Sequence, residues 1–128
     1  MLLGFKEYEA QARHLAEALG LPYEGVGVHR FPDGECKVSL PGKLPEHVVF
    51  CRSLDYPNDK LIQLLLAATS ARELGARRLT LVTPYLCYMR QDKAFTVGEA
   101  VSQRIIGRFL AELFDDVITV DPHLHRIH

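Results

Sequence analysis

Residues 47–83 constrain the fold more than any other stretch. His47 to Cys51 and Leu79 to Val82 are short, unbroken apolar runs, and between them lies a leucine-rich helical segment closed by Gly75. Runs of that length and composition read as buried strands, and a helix joining two of them makes a β-α-β unit with parallel pairing. Leu61, Ile62, Leu64, Leu65, Leu66, Ala67, Ala68, Ala71 and Leu74 leave the helix apolar nearly all round, so it is expected to be buried on more than one side. Asn58 or Asp59 is expected to cap its first turn.

The flanking segments extend this alternation. Leu2 to Phe5 reads as a strand, and Tyr8, Ala12, Leu15, Ala16 and Leu19 recur at helical spacing before the stop at Gly20. Val26 and Val28, then Cys36, Val38 and Leu40, alternate with polar residues on either side of Phe31-Pro32-Asp33-Gly34-Glu35, which predicts a β-hairpin or a strand–loop–strand. Val101, Ile105, Phe109 and Leu113 mark a last helix over roughly Glu99 to Phe114, with Gly98-Glu99 as its start, and Val117 to Val120 reads as another buried strand. Strands alternating with helices predict an α/β layered fold with a mainly parallel sheet flanked by helices, and with the hairpin at an edge.

At 128 residues the chain is expected to form one domain, 1–128. A formal net charge of −1 implies no nucleic-acid partner. Cys36, Cys51 and Cys87 are odd in number and widely spaced within apolar segments, which fits free thiols of a reducing cytoplasm. No apolar run approaches the roughly 18 residues of a membrane helix, so no membrane association is expected. Neither a Gly-x-x-x-x-Gly-Lys-Ser/Thr loop nor Gly-x-Gly-x-x-Gly occurs. Ser53 and Ser102 lack the base and elbow of acyl transfer.

Function is concentrated from Thr83 to Ser102, at the carboxyl end of a strand, where open α/β sheets bind ligands. Arg90, Gln91, Asp92 and Lys93 stand together, flanked by Tyr85, Tyr88 and Phe95. Aromatic faces for a base and cations for phosphates suit a nucleotide, a reading preferred to a surface Arg90–Asp92 ion pair. A second cluster follows the last strand. Asp121 and His123 are two apart and suit a divalent ion or its water shell if the chain stays extended, while His125 completes a His-x-His pattern also found in zinc hydrolases. The bland account is a solvated chain end, which is preferred for His125 and His128. Because the chain stops just past this strand tip, with no helix after it, it is expected to be a piece or half of something larger.

Phe31-Pro32-Asp33-Gly34-Glu35, Asn58-Asp59 before a leucine-rich helix, Pro84-Tyr85 followed by Tyr88-Met89-Arg90-Gln91-Asp92-Lys93, Gly98-Glu99-Ala100-Val101-Ser102 and Val120-Asp121-Pro122-His123 occur in this order. Together they resemble the ribose-phosphate pyrophosphokinase family. The resemblance implies a three-layer phosphoribosyltransferase-like fold and identifies residues 1–128 as the N-terminal, ATP-binding half of a two-domain enzyme. That enzyme moves the diphosphoryl group of Mg-ATP to the 1-hydroxyl of ribose 5-phosphate. It further implies that Arg90 and Gln91 bind ATP, that Phe31, Asp33 and Glu35 reach the ATP of a neighbouring subunit in a homo-oligomer, and that His123 coordinates Mg²⁺. The catalytic residues are expected in the other half, so this chain alone is expected to be inactive. Cys87 and Met89 near Tyr88, the short segment after Asp92, and Asp-Pro-His-Leu-His-Arg at residues 121–126 depart from the family pattern. Two other readings are a noncatalytic nucleotide-binding module of the same fold and a metal-dependent hydrolase using His123 and His125.

Overall fold

Five short strands, all parallel, form the central sheet. In a computed structural model of the chain, which describes residues 1–90 and 96–121, β1 (Leu2–Gly4) is followed by a short 3₁₀ turn and α1 (Glu9–Leu19), then by β2 (Tyr23–Gly25). The hairpin strands β3 (Gly27–Arg30) and β4 (Cys36–Ser39) come next, then β5 (His47–Cys51), α2 (Pro57–Glu73), β6 (Arg78–Tyr85), α3 (Ser102–Leu113) and β7 (Asp116–Asp121). The sheet order is β2-β1-β5-β6-β7.

Alternation along the strands builds three layers, because neighbouring side chains point to opposite faces. On one face Leu2, Val49 and Cys51 pack with Ala12 and Ala16 of α1. On the other, Leu3, Val48, Phe50, Leu79 and Leu81 pack with Leu61, Leu64 and Ala67 of α2 and Leu110 of α3. The expected β-α-β unit is present as β5-α2-β6, in register from His47 opposite Arg78 to Cys51 opposite Val82. Gly20 ends α1 with φ of 69°, in the left-handed region where a glycine carries no steric penalty.

Five expectations need correction. The hairpin does not extend the edge of the main sheet; β3 and β4 pair only with each other, and Val28 and Val38 pack over the core on the α2 side. The edge is taken by β2, whose backbone pairs with β1 from Tyr23 to Gly25. Helix α2 is covered by the sheet and at its sides by β4 and α3, but it is not apolar and buried all round, since its outward Ile62 is 52% and Leu66 38% exposed; nothing packs beyond that outward side among the described residues. Neither Asn58 nor Asp59 caps it. The helix starts on Pro57, whose missing N–H costs nothing in a first turn, while the Asn58 side chain accepts from Tyr88 and Asp59 pairs with Arg30. The last helix starts at Ser102, not at Glu99, because Gly98 at φ 89° lies in a turn closed by Glu99 N–H donating to the Thr96 carbonyl. Finally, β7 is an edge strand, and its Val117 and Ile118 are 36% and 52% exposed rather than buried.

Candidate functional site

Two loops leave the carboxyl ends of the neighbouring strands β5 and β6, and a cleft of about 730 Å³ opens between them. One wall is Asp55, Tyr56, Pro57 and Asn58; the other is Tyr85 and the run from Cys87 to Arg90, with Ser102 of α3 behind. A volume of this size, with aromatic walls and few polar groups, is that of a small-molecule site.

The walls are pinned by hydrogen bonds between the loops. Leu54 N–H donates to the Tyr85 carbonyl at 3.0 Å, the Thr83 hydroxyl donates to the same carbonyl at 2.7 Å, and the Tyr88 hydroxyl donates to Asn58 Oδ1. On the first wall the Lys60 ammonium donates to the Ser53 carbonyl at 3.1 Å and to Asp55 Oδ1 at 2.9 Å. Hydrogen bonds from Lys60 and Ser53 hold the Asp55 carboxyl below its ordinary value, so it is an anion at neutral pH. Burial of Cys87 pushes its thiol up to about 11, which makes it an inert part of the lining rather than a nucleophile.

Tyr56 (φ 48°) and Tyr88 (φ 59°) both adopt left-handed backbone conformations, one on each wall. For a bulky residue that strain costs roughly 1–3 kcal/mol and is tolerated where the surroundings over-determine it, commonly at ligand sites. Tyr56 is 90% exposed, so its own packing does not repay the strain. Arg90 is exposed at the cleft and has no ion-pair partner among the described residues. The chemistry offered is a cation beside aromatic faces, which fits a planar anion-bearing ligand.

Of the residues singled out from sequence, Arg90, Tyr85 and Tyr88 come together here. Phe31, Asp33 and Glu35 do not line the cleft. They form the tip of the β3–β4 hairpin, where Phe31 N–H donates to the Glu35 carbonyl at 2.8 Å and Asp33 Oδ1 accepts from Glu35 N–H at 3.0 Å. Phe31 is 41% exposed and meets the His29 ring edge-on, so the tip presents an aromatic and two carboxylates to solvent. Gln91, Asp92, Lys93, Phe95, His123, His125 and His128 lie outside the described residues. Asp55 and Tyr56 were not singled out from sequence, and Asn58 was expected as a helix cap rather than as a wall of the cleft; the available signal was that a polar loop also follows the buried strand β5.

Comparison with known proteins agrees with the fold. Residues 1–113 match the family model described as the N-terminal domain of ribose phosphate pyrophosphokinase. The ribose-phosphate pyrophosphokinase of Saccharolobus solfataricus is 41% identical over 112 residues, covering 85% of this chain and 38% of that protein. The protein of the same name from Methanopyrus kandleri is 38% identical over 124 residues, covering 96% and 43%. The crystal structure of phosphoribosylpyrophosphate synthetase from Mycobacterium smegmatis superposes with a TM-score of 0.79 at 22% identity, over 93% of this chain and 41% of that one, a likeness of fold. The chain thus spans about two fifths of the length of the relatives it matches. With a three-layer parallel sheet, a separate hairpin and the family model matched over residues 1–113, the chain belongs to the ribose-phosphate pyrophosphokinase family, as its N-terminal domain.

Proposed function

We propose that this chain is the ATP-binding half of a ribose-phosphate pyrophosphokinase. The complete enzyme would transfer the diphosphoryl group of Mg-ATP to ribose 5-phosphate in the cytoplasm. The 1-hydroxyl oxygen attacks the β-phosphorus, the bond from that phosphorus to the α,β-bridging oxygen breaks, the hydroxyl proton is released, and AMP leaves. Such a transfer needs placement and charge neutralisation more than a protein nucleophile. The observation that carries the reading is Arg90 at an aromatic-walled cleft on the carboxyl side of β5 and β6, in a chain whose family is known.

Arg90 binds the phosphates and Gln91 adjoins the same nucleotide. The hairpin tip of Phe31, Asp33 and Glu35 reaches the ATP of a neighbouring subunit in a homo-oligomer, which accounts for a tip turned to solvent and away from its own cleft. Among the described residues no group of three His, Cys, Asp or Glu side chains is arranged to hold a metal ion. Mg²⁺ enters as part of the Mg-ATP substrate, with His123 as its protein contact.

Calorimetry with Mg-ATP tests the assignment. Arg90→Ala is expected to weaken binding about tenfold or more, the loss of a charge-assisted contact to phosphate. An unchanged affinity would remove Arg90 from the site. The isolated chain is expected to bind nucleotide and to produce no 5-phosphoribosyl 1-pyrophosphate until the remaining half of the enzyme is supplied.

A further inference from the structure

The strand order holds a second crevice that the Arg90 cleft does not use. From β1 the chain winds outward to β2 under α1; from β5 it winds the other way through β6 to β7 under α2 and α3. Loops leaving the carboxyl ends of β1 and β5 therefore diverge, and this switch of direction is where open α/β sheets open a ligand crevice. Here it forms a pocket of about 860 Å³, lined by Lys6 and Glu7 after β1, Arg52 after β5, Lys60 and Gln63 of α2, and Arg30 of the hairpin.

Four cations and one carboxylate line this space. Arg52 is only 3% exposed, yet it is held rigidly: Nε donates to Glu7 Oε1 at 2.6 Å, Nη2 to Gln63 Oε1 at 2.6 Å, and Nη1 to the Lys60 carbonyl at a long 3.5 Å. Its guanidinium plane lies over the Phe5 ring at 3.8 Å. A guanidinium has five N–H donors, so these contacts leave two uncommitted. Burial, with the like charge of Arg30 adding to it, pushes Arg52 below its ordinary value while Glu7 acts against that shift. The Arg30–Asp59 and Lys60–Asp55 pairs set the outer cations in place at 3.1 and 2.9 Å. A buried, oriented guanidinium with cations at the rim is the donor set of a phosphate site.

We propose that the β1/β5 crevice is a second anion-binding site, separate from the Arg90 cleft, that takes a phosphate dianion, either free or carried as a monoester on a small metabolite. The proposal stands on the crevice itself and does not require that the Arg90 cleft bind ATP.

Amide NMR titrations of the chain at fixed ionic strength test it, with inorganic phosphate in one arm and glycerol 3-phosphate in the other. Saturable shifts are expected at Gly27 and at the Gln63 side-chain amide, with Lys6→Gln/Arg30→Gln weakening the interaction about tenfold and Arg90→Ala leaving it unchanged. Both substitutions fall on exposed side chains, so the fold survives to report the loss. Tighter binding in the first arm identifies free phosphate as the ligand, and tighter binding in the second identifies a monoester. The proposal is overturned by no saturable shift up to about 50 mM of either probe, by shifts that persist in Lys6→Gln/Arg30→Gln, or by shifts that vanish in Arg90→Ala.

Discussion

Arg52→Met is the substitution whose cost can be worked most fully from the geometry. The side chain is 3% exposed and joins three elements: the turn after β1 through Glu7, helix α2 through Gln63, and its own strand end. Methionine retains much of the stem volume but none of the donors, so the loss is polar rather than a cavity. Gln63, 2% exposed, is left with a buried carbonyl oxygen lacking its partner, at about 1–3 kcal/mol. Glu7 is 43% exposed and regains water, so breaking its pair contributes only about 0–1 kcal/mol rather than the large penalty of a stranded buried charge. Loss of the guanidinium over Phe5 adds about 0.5–2 kcal/mol.

Together these come to about 1.5–6 kcal/mol, with Gln63 the largest part. In urea at neutral pH the midpoint should fall by roughly 1–3 M with an unchanged slope. Arg52→Met/Gln63→Leu should recover about 1–2 kcal/mol of that loss, because the orphaned amide is gone and both partners are apolar. A single variant within about 0.5 kcal/mol of the wild type, or a double variant less stable than the single, would show that Arg52 is not held by the contacts described.

Three further outcomes follow from particular contacts. Gly4→Ala should destabilise the chain by about 1–3 kcal/mol in the same urea assay, since an added Cβ would lie 2.7 Å from the Tyr23 ring and 2.9 Å from the Ala12 methyl. Cys51 and Cys87 have thiols pushed up to about 11 by burial, whereas Cys36 is partly exposed. A disulfide reagent at pH 8 should therefore titrate one thiol rapidly in the native chain and three after unfolding, and rapid labelling of all three in the native state would contradict the burial. Asp115 is held below its ordinary value chiefly by the Leu79 N–H, and Asp116 chiefly by Arg78 with Thr80. Folded-state values below the unfolded ones stabilise the protein above the unfolded pKa of about 4, and that contribution is lost as pH falls through the folded values. Urea midpoints should be level above about pH 5 and decline below about pH 4, with Asp116→Asn shallower on the acid side; a decline beginning at neutral pH would count against these carboxylates.

The central layers were legible because continuous apolar runs carry their own assignment. β5-α2-β6 needed only the runs at 47–51 and 79–82 and the leucines between them. The hairpin was legible from Pro32-Asp33-Gly34 between two alternating runs, but its position was not, since pattern fixes pairing and not which surface the pair covers. β2 escaped notice: Tyr23-Glu24-Gly25 has no strand signature, and its three residues become a strand only because β1 offers a free edge. The burial expected of β7 and of the outer face of α2 failed for one reason. An apolar residue declares a preference for cover, while Ile62, Leu66 and Ile118 are only partly covered by the described residues. Arg90 could be found because the aromatics beside it are neighbours in sequence. Arg52 could not, because its partners stand 45 positions before it and 11 after it, and only the fold brings Glu7 and Gln63 to it.

One segment serves both crevices, and this couples them structurally. Asp55 to Asn58 form a wall of the Arg90 cleft, whereas Arg52 and Lys60 line the β1/β5 crevice. The Lys60 ammonium, with its side chain 14% exposed, joins the two by bonding the Ser53 carbonyl and Asp55 Oδ1 and so folding the loop back on α2. Lys60→Met removes both tethers and also raises the Asp55 carboxyl toward its ordinary value, because Lys60 is the main group holding it down. Arg90→Ala and Lys6→Gln/Arg30→Gln each strip donors from one crevice; Lys60→Met instead loosens the wall between them. It should weaken Mg-ATP and inorganic phosphate together, by about threefold to tenfold each, with circular dichroism unchanged. Loss confined to one ligand would mean that the segment is held by its backbone contacts, Arg52 N–H to the Val82 carbonyl and Leu54 N–H to the Tyr85 carbonyl, and that Lys60 acts only where it touches the phosphate.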